Sequence, residues 1–170
     1  MKKFLALLLV LCMMLPMVAL AEDAHEVKLS QVLYAAHGTK CFAVITVAME
    51  GDKIVAAHIE EFQFMAATSI GVPNSDADFG KNFPEGQVLA SKRVNNEAYS
   101  NNMKKAGSTV ALLDNYTAIE AFATGKTISE LEKAMEGKDE IDMVDAVTGA
   151  TLVDTWGYLQ GILAAAKAAQ

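Results

Sequence analysis

Two apolar segments separated by a short turn constrain the fold of this chain more than any other part of its sequence. Residues 39–49, TKCFAVITVAM, are rich in β-branched and apolar side chains, and residues 53–64, KIVAAHIEEFQF, form a second segment of similar length. Because Glu50-Gly51-Asp52 lies between them, the pattern predicts an antiparallel β-hairpin. Both alternating faces of the first segment are apolar, so we expect a central strand that is covered on both sides.

Helical patterns with recognisable ends follow in the second half of the chain. Three of them begin after polar residues and end at a glycine: EAYSNNMKKA after Asn95-Asn96 and before Gly107, YTAIEAFAT after Asp114-Asn115 and before Gly125, and TISELEKAME from Thr127 to Gly137. Thr127 and Glu130 have the spacing of a capping box. The last segment, VDTWGYLQGILAAAKAA, has its apolar residues at helical spacing. Its Gly157 and Gly161 lie one turn apart and would permit close approach to a sheet.

The sequence pattern does not decide the secondary structure of two shorter segments. VKLSQVLYAA, ahead of the hairpin, is compatible with a strand or a short helix, and STVALL, between the first two helical segments, could be a strand. Taken together, the elements predict an α+β fold. We expect an antiparallel sheet with a central hairpin, packed helices and a C-terminal helix.

Residues 66–90 differ from the segments on either side. Gly, Pro, Asn and Asp are concentrated in SIGVPNSDADFGKNFPEG, which predicts a long surface loop. Loops of this length often form lids or pocket walls. A plain insertion and a functional loop are both compatible with the sequence.

The first 21 residues have the layout of a cleavable secretory signal peptide. Lys2 and Lys3 precede an uninterrupted apolar run, and the segment closes on Ala19-Leu20-Ala21. We therefore expect a signal peptide at residues 1–21 and a single domain over residues 22–170. No later apolar run reaches spanning length, so the processed chain is expected to be soluble outside the cytoplasm, in the periplasm, at the cell surface or secreted.

Charge, cysteine and histidine usage exclude several classes of function. Loss of the two leader lysines moves the formal net charge from -7 to -9, which argues against nucleic acid and anionic membranes as partners. Cys41 would be the single remaining cysteine, so no intramolecular disulfide is expected. His25, His37 and His58 show no metal-ligand spacing, and we expect no metal site.

The stretch DAVTGAT, Asp145 to Thr151, lies just ahead of the last helical segment. A helix N-terminus has unpaired N–H groups and a positive partial charge, so it attracts phosphate. Gly149 permits backbone conformations that other residues avoid, and Ala150 keeps the turn uncrowded. The Thr151 hydroxyl would then point outward beside an anion site, unless Thr151 acts only as the cap of the helix.

DAVTGAT resembles the D-x-x-[ST]-G-A-[ST] motif of the FMN-binding domain family. That family includes one component of the sodium-pumping NADH:quinone oxidoreductase and small exported flavoproteins. The resemblance implies that Thr151 is esterified to the phosphate of FMN by a magnesium-dependent flavin transferase, with FAD as donor and AMP as product. It also implies that Asp145 is the leading acid, that Thr148, Gly149 and Ala150 form the middle of the motif, and that Ala146 replaces a frequent glycine.

The resemblance implies an exported electron carrier with covalently bound FMN. Its partners would be the flavin transferase and a membrane or extracellular redox protein. No acid-base pair suggests a stand-alone enzyme, and no catalytic residue is assigned. Candidates for the ring wall are Tyr99, Phe79, Phe83 and Trp156, and candidates for the phosphate are Lys92 and Arg93.

Two other interpretations of the sequence need no flavin. In the first, the chain is a non-redox extracytoplasmic module whose 66–90 loop holds a ligand or partner, and the Thr-Gly-Ala-Thr turn is only a helix cap. In the second, it is a structural envelope protein. A yellow colour that survives denaturation would separate the flavoprotein from both.

Overall fold

The computed structural model describes residues 26–170, so the expected signal peptide and its cleavage site lie outside the described residues. Four strands form one antiparallel sheet in the order β1-β2-β3-β4. They are β1 (Val27–Tyr34), β2 (Cys41–Glu50), β3 (Lys53–Ala66) and β4 (Gln87–Ser91). The predicted hairpin is β2 and β3, joined by a turn at Gly51 and Asp52. The segment VKLSQVLY, for which the sequence allowed a strand or a short helix, is strand β1.

The two faces of β2 have different environments. On the inner face every second residue is buried, namely Cys41, Ala43, Ile45, Val47 and Met49. The alternating residues of the outer face are only partly buried or exposed, so the prediction of cover on both sides is wrong. Outer-face apolar groups instead pack across the strands, as in the stacked rings of Phe42 and Phe62, whose centroids lie 5.7 Å apart.

Five helices follow in the described part of the chain: α1 (Asn96–Lys105), α2 (Leu112–Ala123), α3 (Ile128–Met135), α4 (Glu140–Ala146) and α5 (Thr155–Ala168). The capping box of Thr127 and Glu130 forms at the start of α3 as predicted. Helix α2 begins at Leu112, so STVALL is not a strand and its last two residues belong to a helix. The α+β fold is confirmed.

The predicted loop at residues 66–90 is shorter than its composition suggests. A turn of 3-10 helix forms at Phe79–Asn82, and QVLAS at the end of the segment is strand β4. This strand pairs with Phe62–Ala66 of β3. At the start of β3, the segment 125–127 pairs with Lys53 and Ile54 through backbone hydrogen bonds and one isolated bridge. Side chains occupy part of the same edge farther along β3. The Ile59 N–H donates to Glu120 Oε1 at 2.7 Å, and Arg93 donates both to the Ile59 carbonyl and to Glu120.

Helix α5 lies directly against β1, β2 and the loop that joins them. A Cβ added to Gly157 would lie 2.5 Å from the Ala36 carbonyl oxygen, and one added to Gly161 would lie 2.2 Å from Ile45 Cδ1. The predicted close approach to the sheet is therefore confirmed at Gly161, whereas Gly157 approaches the loop between β1 and β2. Among residues 26–170 no helix is long and apolar enough to cross a membrane.

Gly157→Ala is expected to destabilise the fold by about 1–3 kcal/mol, because the added methyl group meets backbone that cannot move aside. Helix propensity alone predicts the opposite sign, a gain of up to about 1 kcal/mol. Urea unfolding gives the free energy of unfolding, with Gln160→Ala on the same helix as the control. An unchanged or raised stability of Gly157→Ala would contradict the close contact.

Candidate functional site

The DAVTGAT motif spans the end of α4 and the connection to α5. Asp145 lies in the last turn of α4, and its side chain lies outside the described part of the structure. Thr148, Gly149 and Ala150 follow in a turn in which Gly149 has φ 91°, a value that disfavours other residues. Thr148 and Gly149 are exposed, whereas Ala150 is buried in the core. The turn is therefore anchored by Ala150 and presents Thr148 and Thr151 at the surface.

Thr151 does not cap α5. The N-cap of that helix is Asp154, three residues later, so the expectation that Thr151 lies at or next to the cap is wrong. The Thr151 N–H instead donates to Asn115 Oδ1 at 2.6 Å, and its hydroxyl lies 3.4 Å from the same oxygen. The side chain of Thr151 is exposed. Thr151 is thus an exposed residue whose hydroxyl is not used to start α5.

Asn115 holds the Thr151 turn against α2. Its side chain is fully buried, and its Nδ2 donates to the carbonyls of Val110 and Ala111 at 3.3 and 2.9 Å. These bonds orient Oδ1 toward Thr151. The sequence suggests only a helix start at Asn115, because the two residues are 36 positions apart and no local pattern connects them.

Thr151 borders a surface groove of about 390 Å³. The groove lies between the end of α1 and the segment that leads into α5. It is lined by His37, Met103, Ala106, Gly107, Ser108, Thr109, Thr151, Leu152, Val153 and Asp154. Apolar side chains and hydroxyl groups therefore share its walls, a composition suited to a ligand with an apolar body and polar ends.

His37 Nδ1 lies within hydrogen-bond distance of Asp154 Oδ2 at the start of α5. This contact ties the β1–β2 loop to the start of the helix. Asp154 is the N-cap residue of α5 and makes no side-chain cap bond, and its carboxylate offsets part of the positive partial charge at that helix end. A lone histidine in the sequence gives no signal for this pairing.

The other residues proposed from the sequence lie away from the groove. Phe79 and Phe83 pack edge to face beside Phe64, and Trp156 lines a different groove with α3 residues. Lys92 stands over the Tyr99 ring in the interior. Lys92 pairs with Glu61 and Arg93 pairs with Glu120, so both candidate phosphate partners are already bound to carboxylates.

A buried polar cluster that sequence reasoning missed lies between the sheet and helices α2 and α5. Three groups donate to Glu61 Oε2: Lys92 Nζ at 2.7 Å, the Tyr116 hydroxyl at 2.6 Å and the Tyr158 hydroxyl at 2.7 Å. Glu61 and Lys92 are 0% and 1% exposed. Lys92 also lies 3.7 Å from the sulfur of Cys41. The sequence does contain one indication of this cluster. Alternation along β3 places Glu61 on the same inner face of the strand as Ile59.

The cluster fixes the charge states of its members. Burial raises the pKa of Glu61, but the charge and hydrogen bond of Lys92 and the two tyrosine hydroxyls outweigh burial and lower that pKa overall. Burial lowers the pKa of Lys92, and the Glu61 carboxylate reverses this and raises it. Burial, with the Glu61 charge added, raises the pKa of Cys41 to about 11. Cys41 is therefore a neutral thiol at neutral pH and not an activated nucleophile.

Acidification is expected to remove the stability that Glu61 contributes. The folded-state pKa of Glu61 lies below its unfolded value of about 4.3, so the contribution is present above that value and is lost as the pH falls through the folded pKa. Urea unfolding between pH 6 and pH 3 should show a steeper loss for the wild type than for Glu61→Gln. Equal slopes would mean that Glu61 has the same proton affinity in both states.

Comparisons with protein-family models, with curated proteins and with solved structures found no match to this chain. The fit of a flavin is therefore judged from the groove itself. An exposed threonine and apolar walls suit a phosphoester with an attached apolar ring, whereas the Asp154 carboxylate in the lining opposes a phosphate. The groove volume lies within the range of about 300–1,000 Å³ that small-molecule sites occupy. No group of three His, Cys, Asp or Glu residues within 26–170 is placed to hold a metal ion.

Proposed function

We propose that this chain is an exported flavoprotein that carries FMN through a phosphoester on Thr151 and acts as an electron carrier. The observation that supports it best is the position of Thr151. Its exposed hydroxyl stands at the rim of a groove, in a motif that resembles a flavin-attachment sequence. A buried asparagine holds its backbone in place.

Each residue near Thr151 has a role in this proposal. Gly149, at φ 91°, makes the sharp turn that brings Thr151 out, and buried Ala150 anchors that turn to the core. Backbone N–H groups in the first turn of α5 would donate to the ester phosphate, against the opposing charge of the Asp154 carboxylate. Met103 and Leu152 give the groove an apolar wall against which a ring can pack.

The attachment step transfers the FMN phosphate from FAD to Thr151 Oγ1. The hydroxyl loses its proton, a new P–O bond forms, and the P–O bond to AMP breaks. The bound flavin would supply one- or two-electron transfer, and the protein would supply its orientation and surroundings. Covalent attachment suits an exported carrier, because a dissociable flavin outside the cell is lost by dilution.

Co-expression of the whole chain, leader included, with a flavin transferase tests the proposal. The expected product is a band that fluoresces under ultraviolet light on a denaturing gel, with an intact mass increased by one FMN less one water. Expression without the transferase should give an unmodified chain. If a known member of the family is labelled in parallel while this chain is not, the carrier proposal fails.

One observation favours the alternative of a non-redox binding module. Part of the loop between β3 and β4 forms the wall of an apolar pocket that is separate from the groove at Thr151. In this alternative the pocket holds the ligand, and the motif serves only to join α4 to α5. Unmodified Thr151 after co-expression, together with ligand binding at the pocket, would support it.

A further inference from the structure

The pocket beside the β3–β4 loop has a volume of about 320 Å³. It is bounded by the outer face of the sheet where β3 and β4 pair, by the loop segment 70–73 and by the residues after β4. Its walls are formed by Glu60, Phe62, Ile70, Gly71, Val72, Pro73, Ser91 and Val94. Apolar groups provide most of this lining, and one carboxylate is placed among them.

The loop wall of the pocket is fastened by several hydrogen bonds. The Val72 N–H donates to the Leu89 carbonyl at 2.9 Å, which joins the loop to β4. Asn95 accepts from the Ile70 N–H and donates to the Ile70 carbonyl, both at 2.9 Å, and it also donates to the Ser91 carbonyl. Asn95 is itself buried. The pocket therefore has a preformed wall.

Glu60 is the charged group of the pocket. It is half-buried, and its Oε1 accepts a hydrogen bond from the Ser91 hydroxyl at 2.6 Å. Ser91 in turn accepts from the Val94 N–H at 3.1 Å, which fixes the direction of its hydroxyl. Within residues 26–170 no lysine or arginine pairs with Glu60, so its other carboxylate oxygen can accept from a ligand.

We propose that this pocket binds a small organic cation, an aryl-alkyl amine whose ring packs among the apolar walls and whose ammonium group pairs with Glu60. The negative charge of Glu60 favours a cation as the ligand of this pocket. The Glu60 carboxylate in the lining disfavours carboxylate or phosphate ligands in this pocket. A neutral ligand would bury the carboxylate without compensating its charge, which is costly. The Phe62 ring in the wall adds attraction for a cation.

The size of the pocket restricts the ligand to roughly one ring with a short chain. Its volume lies at the lower end of small-molecule sites, which begin at about 300 Å³. This site is independent of Thr151 and does not depend on the flavin proposal. The pocket would bind the amine whether or not the chain carries FMN.

Calorimetric titration of the unflavinylated full chain with 2-phenylethylamine at pH 7 tests this proposal. The amine is expected to bind at least about tenfold more tightly than 2-phenylethanol, because only the amine forms a charge-assisted bond with Glu60. Glu60→Gln, which keeps the shape of the side chain, should weaken amine binding by a similar factor. Glu85→Gln removes the same charge from an exposed loop position and should leave the affinity within twofold.

Amide chemical shifts locate the binding site in the same samples. Shifts of Val72, Ser91 and Val94 on adding the amine would support the pocket. Equal affinity for amine and alcohol, no binding of the amine, or equal binding by Glu60→Gln and the wild type would each overturn the proposal. The comparison of amine with alcohol uses the wild-type chain, so it tests the role of the ammonium group even if Glu60→Gln folds poorly.

Discussion

Thr151→Ala is expected to abolish covalent flavin attachment completely, whereas Thr151→Ser should keep it. Serine presents the same hydroxyl oxygen on the same turn, and alanine has no atom that can form the ester. Thr68→Ala is the control, because Thr68 is an exposed threonine outside the motif and outside the lining of the groove. The measurement is intact mass after co-expression with a flavin transferase, supported by fluorescence on a denaturing gel.

The wild type and the three variants together assign the attachment to one oxygen. We expect the mass increase in the wild type, Thr151→Ser and Thr68→Ala, and none in Thr151→Ala. A mass increase that persists in Thr151→Ala would place the ester on another residue and contradict the proposal. Thermal unfolding of each protein shows whether a missing label reflects a missing hydroxyl or a missing fold.

Lys92→Met is expected to lower the free energy of unfolding by about 3–5 kcal/mol at pH 7, because it leaves the Glu61 charge buried without its cation. Methionine has similar length and apolar character, so the loss should come mainly from the charge. This cost is a large share of a total stability of about 5–15 kcal/mol. Urea unfolding measures it, and the far-ultraviolet spectrum shows whether the variant still folds.

Lys40→Met is the control for Lys92→Met. Lys40 is exposed, so its replacement should change stability by no more than about 0.5 kcal/mol. If both variants lose equally little, the ion pair of Glu61 and Lys92 contributes no more than a surface contact. If acidification restores Lys92→Met toward the wild type by protonating Glu61, the loss is traced to the unpaired carboxylate.

The parts of the fold that follow from the sequence are those encoded by neighbouring residues. The hairpin depends on two apolar segments and a turn at Gly51, and the start of α3 depends on Thr127 and Glu130. Helix α4 has a comparable local signal, since Asp139 and Asp142 form a capping box. That helix was not predicted, because it has only seven residues and no glycine marks its end.

The parts that do not follow from the sequence depend on contacts between distant residues. Asn115 meets Thr151 only after α2 packs against the segment that leads into α5, and Lys92 meets Glu61 only after β4 pairs with β3. Glu61 also illustrates a limit of patterning, because alternation places it on the inner face of β3 but does not show which groups would compensate its charge there. The position of the candidate attachment residue could be proposed from its motif, whereas the groove around it required the tertiary structure.

The side chains of Arg93 and Glu120 restrict where a strand of another chain could add to the sheet. They occupy backbone groups of β3 that another strand would otherwise use, and the bond from Val72 does the same for β4. Within residues 26–170, the edge without such cover is that of β1, where Leu29 and Leu33 are 74% and 72% exposed. An exposed apolar edge strand is a template for pairing with another chain. Among the described strands, a strand of another chain would therefore add to the sheet at the β1 edge and not at the β4 edge.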